Sequence, residues 1–368
     1  MKVIQVSHAF YPSIGGIEQH VYHLSRELMK QGHEVVVYTT GRGEEIVDGI
    51  HVKRFGAFQF PFFSSVNLSA GLAHALLALK REHADIVALH GYGNMMPGAA
   101  VIAKWKGIPV VFTLHGYPKL KGLGRILQHG YRTLYAPLFL KRADWIISVS
   151  RSGGEELLRD HPEVDRRNIV YIPNGVGEEF FSVTKRKRGN VIAYVGRFDK
   201  YKRIDLLIEV FAELKKEFPG LRLWLIGKDE GVRKELEEQT KRLGVTVEFK
   251  EVKPSAMPAL YAQLNAVVLP SSYEGFSLIW LEAMAAGCAM FSTPVGEAPR
   301  LFKEVYGSNA GRFLFKDKEE LVRKLRHFLN KENAYTPVLK NARTRVRKQY
   351  SWKTVAERTA KVYQILKG

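Results

Sequence analysis

The chain has 368 residues, of which 46% are hydrophobic and 25% are charged, and this balance indicates a globular rather than a disordered protein. No apolar run reaches the roughly 18–20 residues of a membrane span, and the apolar N-terminus is too short for a signal peptide. The single cysteine, Cys288, excludes an internal disulfide framework and favours a reducing compartment, so we expect a cytoplasmic protein.

The net charge of +19 resides mostly in the second half, where residues 184–368 hold 36 Lys and Arg against 21 Asp and Glu. An excess of this size fits either a polyanionic partner or a solvated, basic helical tail, and the sequence leaves both open. The length favours two domains of roughly 170–190 residues each.

The first half alternates apolar strands with helical segments. Its first strand, KVIQVSH, is followed by a turn at Gly15 and Gly16 and by a helix whose apolar residues recur at helical spacing. Further strands are predicted in the segments EVVVYTT, DIVALH, PVVFTLH, DWIISVS and NIVYIP. This alternation predicts a parallel sheet with helices on both faces.

The second half repeats this plan, with strands predicted in NVIAYVG, LRLWLIG, VTVEFK, AVVLP and CAMFST. The polar, basic stretch at 182–190 separates the halves, so we predict one domain over residues 1–183 and another over 184–348. Our hypothesis is that a last helix, over 349–368, packs back on the first domain. The expected fold is α/β, with two doubly wound Rossmann-like domains facing each other across a cleft, where ligands bind at the carboxyl ends of the strands.

Two glycine-containing segments resemble nucleotide-binding motifs but lack residues that those motifs require. The Gly-Tyr-Gly segment at 91–93 follows a strand, yet Met96 occupies the third glycine position, so we expect no nicotinamide cofactor. The Gly-Lys pair at 227–228 is followed by Asp229 instead of Ser or Thr, so this segment is not a P-loop.

No metal ion is expected. His20, His23 and Glu27 share a helix at spacings of three and four, but such a pattern more often forms the polar face of a helix than a metal site. The sequence contains no Asp-x-Asp motif that would hold a catalytic divalent ion on a diphosphate. We therefore predict neither a metal nor an organic cofactor.

Two segments after predicted strands are suited to bind a diphosphate. Gly15 and Gly16 let the backbone approach a ligand closely, and the helix that follows offers free N–H groups and a positive dipole end to an anion. Arg197 and Lys202 flank a strand-to-helix loop in the second half. A guanidinium and an ammonium together supply the cations that a diphosphate leaving group needs when no metal is present.

A histidine follows another buried strand. His115 stands in the Thr-Leu-His-Gly segment at 113–116, next to a glycine, and is expected to point into the cleft. An imidazole there can exchange a proton or a hydrogen bond near neutral pH.

The most specific pattern is a pair of glutamates separated by seven residues, Glu274 and Glu282. Glu274 precedes a helix predicted to begin near Leu278, after Ser277, and the N-terminus of that helix can face a phosphate. Glu282 lies more than one turn inside the helix among apolar residues. A carboxylate there needs partners that offset its burial, and sugar hydroxyls are suitable donors.

These segments together resemble glycosyltransferase family 4, which has the GT-B fold, over nearly the whole chain. The Glu-x7-Glu motif, the Gly-Arg…Lys segment at 196–202, the Gly-Gly turn, Thr-Leu-His-Gly and the Pro-Asn-Gly-Val turn at 173–176 all occur in the order typical of that family. The resemblance implies a retaining transferase that takes a sugar from a nucleotide diphosphate donor held mainly by the second domain.

The resemblance also implies roles for single residues. Arg197 and Lys202 would bind the donor diphosphate, and Glu282 would bind the nucleotide ribose. Glu274 would contact the transferred sugar and His115 would lie beside it, so we predict these two as catalytic residues. The predicted donor-binding residues are Gly15, Gly16, Arg197, Lys202, Ser277, Leu278 and Glu282.

The chain departs from the family pattern at several positions. Arg203 stands where the family usually has glycine, and glycine is also frequent at the positions of Ser277 and Glu251. Gly-Glu-Ala-Pro-Arg at 296–300 replaces the common Gly-Gly-x-Pro-Glu beside the donor, so the identity of the sugar cannot be copied from a relative. A UDP-sugar is the favoured donor and a GDP-sugar is the alternative.

The predicted reaction is the metal-independent transfer of a hexose-type sugar to an acceptor that the sequence does not identify. We favour front-face attack, in which an oxygen of the leaving phosphate accepts the proton of the acceptor. A nucleotide-sugar epimerase on the same frame, and a non-catalytic protein that binds sugar nucleotides or polyanions, are the alternatives. Nucleic acid is not an expected partner.

A basic stretch suggests where an acceptor binds. Between Asp85 and Asp144 there is no acidic residue, and residues 117–139 mix cations with aromatic and aliphatic side chains. This mixture suits either an ordinary amphipathic helix or a surface that rests on anionic lipid headgroups. The hypothesis is a peripheral membrane association that delivers a lipid-linked or anionic acceptor, and a saccharide acceptor is the alternative. The cations are Lys104, Lys106, Lys119, Lys121, Arg125, Arg132, Lys141 and Arg142.

Overall fold

The computed structural model describes residues 1–13, 15–56, 58–59, 67–68, 72–93, 95–116, 130–183 and 189–368. These residues form two compact units, the first made of residues 1–175 and 352–368 and the second of residues 176–351. The chain therefore leaves the first unit after Gly175 and returns to it at Trp352, whereas the sequence-based boundaries are 183/184 and 348/349. Residues 184–188 of the predicted linker lie outside the described residues.

The first unit is built on an eight-stranded sheet with the order β10-β9-β8-β7-β1-β2-β4-β3. Neighbouring strands in this sheet are parallel except for the edge strand β3, which is antiparallel to β4. A short antiparallel pair, β5 and β6, stands apart from it. The strands are β1 Lys2–Ser7, β2 Glu34–Thr40, β3 Gly43–Val47, β4 Ile50–Phe55, β5 Phe58–Gln59, β6 Asn67–Leu68, β7 Ile86–His90, β8 Val110–Leu114, β9 Trp145–Ser148 and β10 Ile169–Tyr171.

Both faces of this sheet are covered. Along β2, Val36 and Tyr38 belong to one buried apolar cluster and Val37 belongs to another, because successive side chains of a strand point to opposite faces. The last helix of the chain belongs to this unit and packs against the first helix. The helices are α1 Gly16–Lys30, α2 Leu72–Arg81, α3 Met96–Trp105, α4 Pro137–Leu140, α5 Arg151–Asp160 and, at the end of the chain, α14 Trp352–Lys367, with a π-helical turn at Tyr131–Tyr135 and a 3₁₀ turn at Arg166–Asn168.

The hairpin of β3 and β4 is missing from the elements predicted from the sequence. Its turn is formed by Asp48 and Gly49, both with positive φ. An Asp-Gly pair between two short segments of β-forming residues is a recognised hairpin signal, so the sequence does contain the information. The exposed face of β3, which carries polar residues at most positions, obscures the apolar pattern.

The second unit contains a five-stranded sheet, in which all strands are parallel and the order is β13-β12-β11-β14-β15. Every residue of the central strand β11 is buried, as expected for a parallel sheet covered on both faces. The strands are β11 Val191–Val195, β12 Arg222–Ile226, β13 Glu248–Lys250, β14 Ala266–Leu269 and β15 Ala289–Ser292. The helices are α6 Glu178–Phe181, α7 Ile204–Glu217, α8 Arg233–Leu243, α9 Met257–Tyr261, α10 Leu278–Ala285, α11 Ala298–Tyr306, α12 Lys318–Asn330 and α13 Glu332–Tyr350, with 3₁₀ turns at Lys200–Lys202, Pro254–Ala256 and Gly307–Arg312.

The predicted fold class, α/β with two Rossmann-like domains, is confirmed. Within the described ranges, each helix is either too short or too polar to cross a lipid bilayer.

Candidate functional site

The predicted donor-binding residues of the second unit lie at the carboxyl ends of two neighbouring strands of its sheet. β11 and β14 are parallel neighbours, so their carboxyl ends meet, and the loops that follow them lie side by side. The loops are joined by Ser272, whose backbone N–H and hydroxyl both donate to the carbonyl oxygen of Tyr201, at 2.8 and 3.1 Å. This junction brings residues 196–203 next to residues 270–277.

Lys202 and Glu274 form an ion pair across these two loops. The Lys202 Nζ donates to Glu274 Oε1 at 2.7 Å, and the Ser271 hydroxyl donates to the same oxygen at 2.8 Å. The two charged side chains are only 17% and 13% exposed. Partial burial strengthens the attraction relative to a pair on the surface, so the carboxylate is held in one orientation.

Arg197 lies in the same loop with an exposed side chain. Its guanidinium makes no hydrogen bond or ion pair to another residue of the described ranges, while its backbone oxygen accepts a hydrogen bond from the Tyr194 hydroxyl at 2.7 Å. The preceding Gly196 has a φ of +143°, and a Cβ there would lie 2.8 Å from that hydroxyl. The loop is therefore anchored through its backbone and leaves a cation available for an anion.

The start of α10 offers a second group for an anion. Ser277 is its N-cap in an extended conformation, and its side chain makes no capping hydrogen bond. The first N–H groups of a helix, beginning here at Leu278, have no partner within the helix and carry the positive end of its dipole. An anion at this helix start would be bound by backbone N–H groups.

Glu282 lies one turn further into α10 and is only partly exposed. The Tyr261 hydroxyl donates a hydrogen bond to Glu282 Oε2 at 2.9 Å. Burial raises the pKa of Glu282 to about 7, the Tyr261 hydrogen bond opposes the rise, and the charge of Glu179 adds to it. In the free protein this carboxyl is consequently half protonated near neutral pH.

The atypical loop at 296–300 packs against the backbone of Glu274. Gly296 has a φ of +54°, and a Cβ there would lie 2.1 Å from the carbonyl oxygen of Glu274. The backbone N–H of Glu297 donates to the carbonyl oxygen of Gly275 at 3.1 Å. A change in the conformation of this loop therefore affects the position of the Glu274 backbone directly.

In the first unit, Gly15 and Gly16 lie at the start of α1, as predicted. Gly15 is the N-cap, and a Cβ there would lie 2.3 Å from a carboxylate oxygen of Glu18, whereas a Cβ on Gly16 would meet open space. The glycine at 15 thus leaves room for the Glu18 carboxylate, which already lies near the positive end of the helix.

His115 follows β8 and is partly exposed, and its Nε2 lies 3.4 Å from Nδ1 of the buried His90. Burial lowers the pKa of His115 well below its usual value, and the nearby His20, His90 and His8 lower it further. The imidazole is therefore neutral at physiological pH, and it acts as a hydrogen-bonding group rather than as a cation.

The expectation that His20 lies on a polar helix face is wrong. His20 is 2% exposed, its ring lies 4.6 Å from the ring of His115 between centroids, and its Nδ1 lies 2.9 Å from Asn174 Oδ1. Glu27 pairs instead with Lys30. Three further residues were not predicted from the sequence, namely His90, Ser271 and Tyr261. The partners of His90 and Tyr261 are distant in sequence, and the contact of Ser271 depends on the conformation of a loop.

The basic segment at 117–139 is described only in part. Residues 117–129 lie outside the described residues, and so do the side chains of Tyr131 and Arg132. In the remainder, Leu134 is 77% exposed and Leu138 is 46% exposed, whereas Phe139 is buried.

The structure therefore brings six of the predicted residues together at the carboxyl ends of the strands of the second unit. It places Gly15, Gly16 and His115 in the first unit. The six are Arg197, Lys202, Glu274, Ser277, Leu278 and Glu282. Their functional roles stay predictions.

Comparison with known proteins identifies relatives along most of the chain. Residues 14–180 match the family model described as Glycosyltransferase Family 4, and residues 176–345 match the model described as Glycosyl transferases group 1. A human protein that is one of the subunits of phosphatidylinositol N-acetylglucosaminyltransferase is 28% identical, over 98% of this chain and 75% of that protein.

Many solved structures share the fold, and two of them illustrate the match. Sucrose-phosphate synthase from Thermosynechococcus elongatus matches with a TM-score of 0.80 and 19% identity, over 99% of this chain and 98% of that chain. HepE from Anabaena, solved in complex with UDP-glucose, matches with a TM-score of 0.78 and 18% identity, over 99% of this chain and 100% of that chain.

Proposed function

Because the chain belongs to the family 4 glycosyltransferases, we propose that it transfers a hexose-type sugar from a UDP-sugar to a lipid-linked acceptor, with retention of configuration and without a metal ion. A GDP-sugar is the alternative donor. The observation that carries the proposal is the Lys202–Glu274 ion pair, which lies beside Arg197 and the uncapped start of α10.

These groups suit a nucleotide diphosphate sugar. Breaking the anomeric C–O bond leaves positive charge on the sugar and negative charge on the diphosphate. The negative charge is stabilised by Arg197, Lys202 and the N–H groups at the start of α10. In other transferases a metal ion stabilises this charge. Glu282 accepts hydrogen bonds from the ribose hydroxyls, and UDP-glucose is the ligand in the complex of the Anabaena protein.

The environment of Glu274 favours a binding role over a nucleophilic one. Its Oε1 already accepts hydrogen bonds from Lys202 and Ser271, which lowers the nucleophilicity of the carboxylate and orients it. The remaining oxygen accepts hydrogen bonds from hydroxyls of the transferred sugar. Retention then follows from front-face attack, in which a leaving phosphate oxygen accepts the acceptor proton. The neutral His115 contributes a hydrogen bond to the sugar, the role that the family resemblance implies.

The test is steady-state kinetics in excess EDTA. We expect Arg197→Ala and Lys202→Ala each to lower kcat/KM by roughly 10²–10³, the usual scale for the loss of one charge-stabilising group. The matched control is Lys200→Ala, since Lys200 lies in the same loop with an exposed ammonium 3.8 Å from Glu235. Near-normal kcat/KM in both variants, or activity that EDTA abolishes and Mg²⁺ or Mn²⁺ restores, would contradict the proposal.

An exposed apolar surface of the first unit supports a lipid-linked acceptor. Trp105 at the end of α3 is 71% exposed, and the ammonium of Lys80 on α2 lies 5.1 Å from the centroid of its ring. Helix α3 packs against both α2 and α4. Large exposed apolar side chains beside cations are typical of surfaces that insert shallowly among anionic headgroups. The exposed apolar residues are Leu77, Val101, Trp105, Leu134 and Leu138.

Flotation with liposomes of increasing anionic lipid content tests this surface. We expect binding at low salt that weakens at high salt, because exposed charges are screened, and weaker binding for Trp105→Ala. Leu243→Ala is the control, since Leu243 is an exposed leucine of the second unit. Absence of binding at low salt would favour a soluble saccharide acceptor.

A further inference from the structure

Three histidines of the first unit converge around one point. His20 lies on α1, His90 ends β7, and His115 follows β8. One ring nitrogen from each lies within 4.8 Å of the other two. The sheet order explains the convergence, because β7 is the parallel neighbour of both β8 and β1, and α1 follows β1. Within the described ranges, no other group of three or more histidine, cysteine or acidic residues converges in this way.

The distance between one nitrogen of His115 and one of His90 is longer than in most hydrogen bonds. His115 Nε2 and His90 Nδ1 are 3.4 Å apart, whereas hydrogen bonds from ring N–H groups mostly span about 2.7–3.2 Å. Two nitrogen ligands at about 2.05 Å on one tetrahedral Zn²⁺ are separated by about 3.3 Å. The observed spacing therefore matches two ligands of a shared ion.

The hydrogen bond that His20 makes through Nδ1 leaves its Nε2 available to bind a metal ion. Its Nδ1 lies 2.9 Å from Asn174 Oδ1, and an amide oxygen can only accept, so Nδ1 carries the hydrogen and Nε2 keeps its lone pair. An imidazole that donates one N–H to a neighbouring oxygen while the other nitrogen binds metal is the usual arrangement around protein-bound ions. The ring of His20 also packs nearly perpendicular to the ring of Trp352, with 5.2 Å between centroids.

His90 presents its Nδ1 to the cluster, 3.4 Å from His115 Nε2. Its ring is fully buried, and its other nitrogen, Nε2, has no hydrogen-bond partner among the residues that the structure describes. Since an imidazole binds one ion through only one of its two nitrogens, this spacing assigns Nδ1 as the ligand atom of His90.

We propose that His20, His90 and His115 form a three-histidine binding site for a divalent transition-metal ion, best suited to Zn²⁺. Three neutral imidazoles without a carboxylate fit a borderline ion with nitrogen preference and leave a fourth position open. Mg²⁺ and Mn²⁺ prefer oxygen ligands and bind here far more weakly.

We expect zinc bound at this site to inhibit the sugar transfer rather than to take part in it. A bound ion takes the lone pair of His115 and holds its ring, so His115 can no longer contact the transferred sugar. This consequence rests on the proposed function, whereas the binding itself does not. The catalytic reaction remains independent of metal, and zinc acts as a reversible inhibitor.

Binding is measured by titrating Zn²⁺ into the chelator-treated full chain in competition with a chromophoric chelator. We expect one ion per chain, and an affinity at least about tenfold weaker in His20→Gln and in His90→Gln. His161→Gln is the matched control, because His161 is a buried histidine of the same unit whose Nδ1 contacts Glu163 at 3.2 Å. Absence of stoichiometric binding, or equal binding by folded ligand variants, overturns the proposal.

X-ray absorption on the zinc-loaded wild-type chain keeps the test independent of variant folding. We expect three imidazole ligands, and fewer than three overturns the site. In the activity assay, Zn²⁺ is expected to inhibit and EDTA to restore transfer, while Mg²⁺ has no effect. Stoichiometric three-histidine binding without inhibition would leave the metal site intact and contradict the role of His115, so failures of the two proposals are distinguishable.

Discussion

At the scale of single residues, Glu282 and Glu274 are placed in different electrostatic environments. Glu274 has a cation 2.7 Å away, in Lys202, whereas Glu282 accepts its hydrogen bond from the neutral hydroxyl of Tyr261. Burial therefore raises the pKa of Glu282 to about 7. The carboxyl of Glu282 is thus half protonated near neutral pH, which separates its expected contribution to ligand binding from that of Glu274.

Donor affinity is expected to depend on the ionisation of Glu282. If the ribose hydroxyls bind the ionised carboxylate, affinity for a UDP-sugar rises about tenfold from pH 6 to pH 8, because the ionised fraction rises by that factor around a pKa near 7. An intact nucleotide sugar is used because its diphosphate lacks the second phosphate pKa near 6 of a terminal phosphate. Calorimetry at both pH values measures the change.

Two variants separate this effect from general changes in the protein. Glu282→Gln should bind the UDP-sugar more weakly and with little pH dependence. Glu274→Gln should also bind it more weakly but keep the rise with pH. A pH dependence that persists unchanged in Glu282→Gln would refute the assignment.

At the scale of elements, the start of α7 contains backbone strain. Arg203 is the residue before this helix and adopts the left-handed conformation, with φ +49° and ψ +45°. A side chain in this region costs roughly 1–2 kcal/mol, and glycine avoids the cost. The structure thus gives the physical reason why glycine usually stands at this position in the family that the sequence resembles.

Replacing Arg203 with glycine should stabilise the chain. Relief of the strain exceeds the extra entropy of an unfolded glycine, which is roughly 0.5–1 kcal/mol, so Arg203→Gly should raise the free energy of unfolding by about 0.5–1 kcal/mol. Urea unfolding measures it. Arg203→Ala removes the same charge but keeps a Cβ, so a comparable gain in that control would show that charge, rather than strain, is responsible.

At the scale of the whole molecule, buried neutral histidines make stability depend on pH. Burial lowers the pKa of His20 and of His23 to about 4, and it lowers those of His90 and His115 well below their usual value. In the unfolded chain a histidine titrates near 6.5. Between pH 6.5 and pH 4 the unfolded state therefore binds more protons than the folded state, and stability falls as pH falls.

Acidification from pH 7.5 to pH 5 should accordingly destabilise the metal-free chain, with about 2 kcal/mol from His20 alone. Glu282 acts in the opposite direction, since its raised pKa favours the folded state in acid. Urea unfolding at both pH values is the measurement. His23→Gln should lose less stability on acidification than the wild type, whereas His51→Gln, a change of an exposed strand residue, should behave like the wild type. Equal stability at the two pH values would contradict the prediction.

The alternation of strands and helices, and the donor-binding residues that lie close together along the chain, could be predicted from the amino-acid sequence. Apolar periodicity is a local property, and it predicted the parallel sheets of both units. Glu274, Leu278 and Glu282 lie on one loop and the helix that follows it, so their spacing alone placed them near each other. The loop carrying Arg197 and Lys202 was predicted to follow a strand, as it does after β11.

Contacts between segments that are distant in the chain could not be predicted from local patterns. The Lys202–Glu274 ion pair depends on β11 and β14 being neighbours, and no local pattern states the strand order. His20 was expected on a polar face because a helix period does not show which neighbours cover a face. Its burial against His115 depends on the packing of α1. The ring of Trp352, in the last helix of the chain, packs against the His20 ring as well. Local spacing specifies elements, whereas contacts between elements depend on how their surfaces pack.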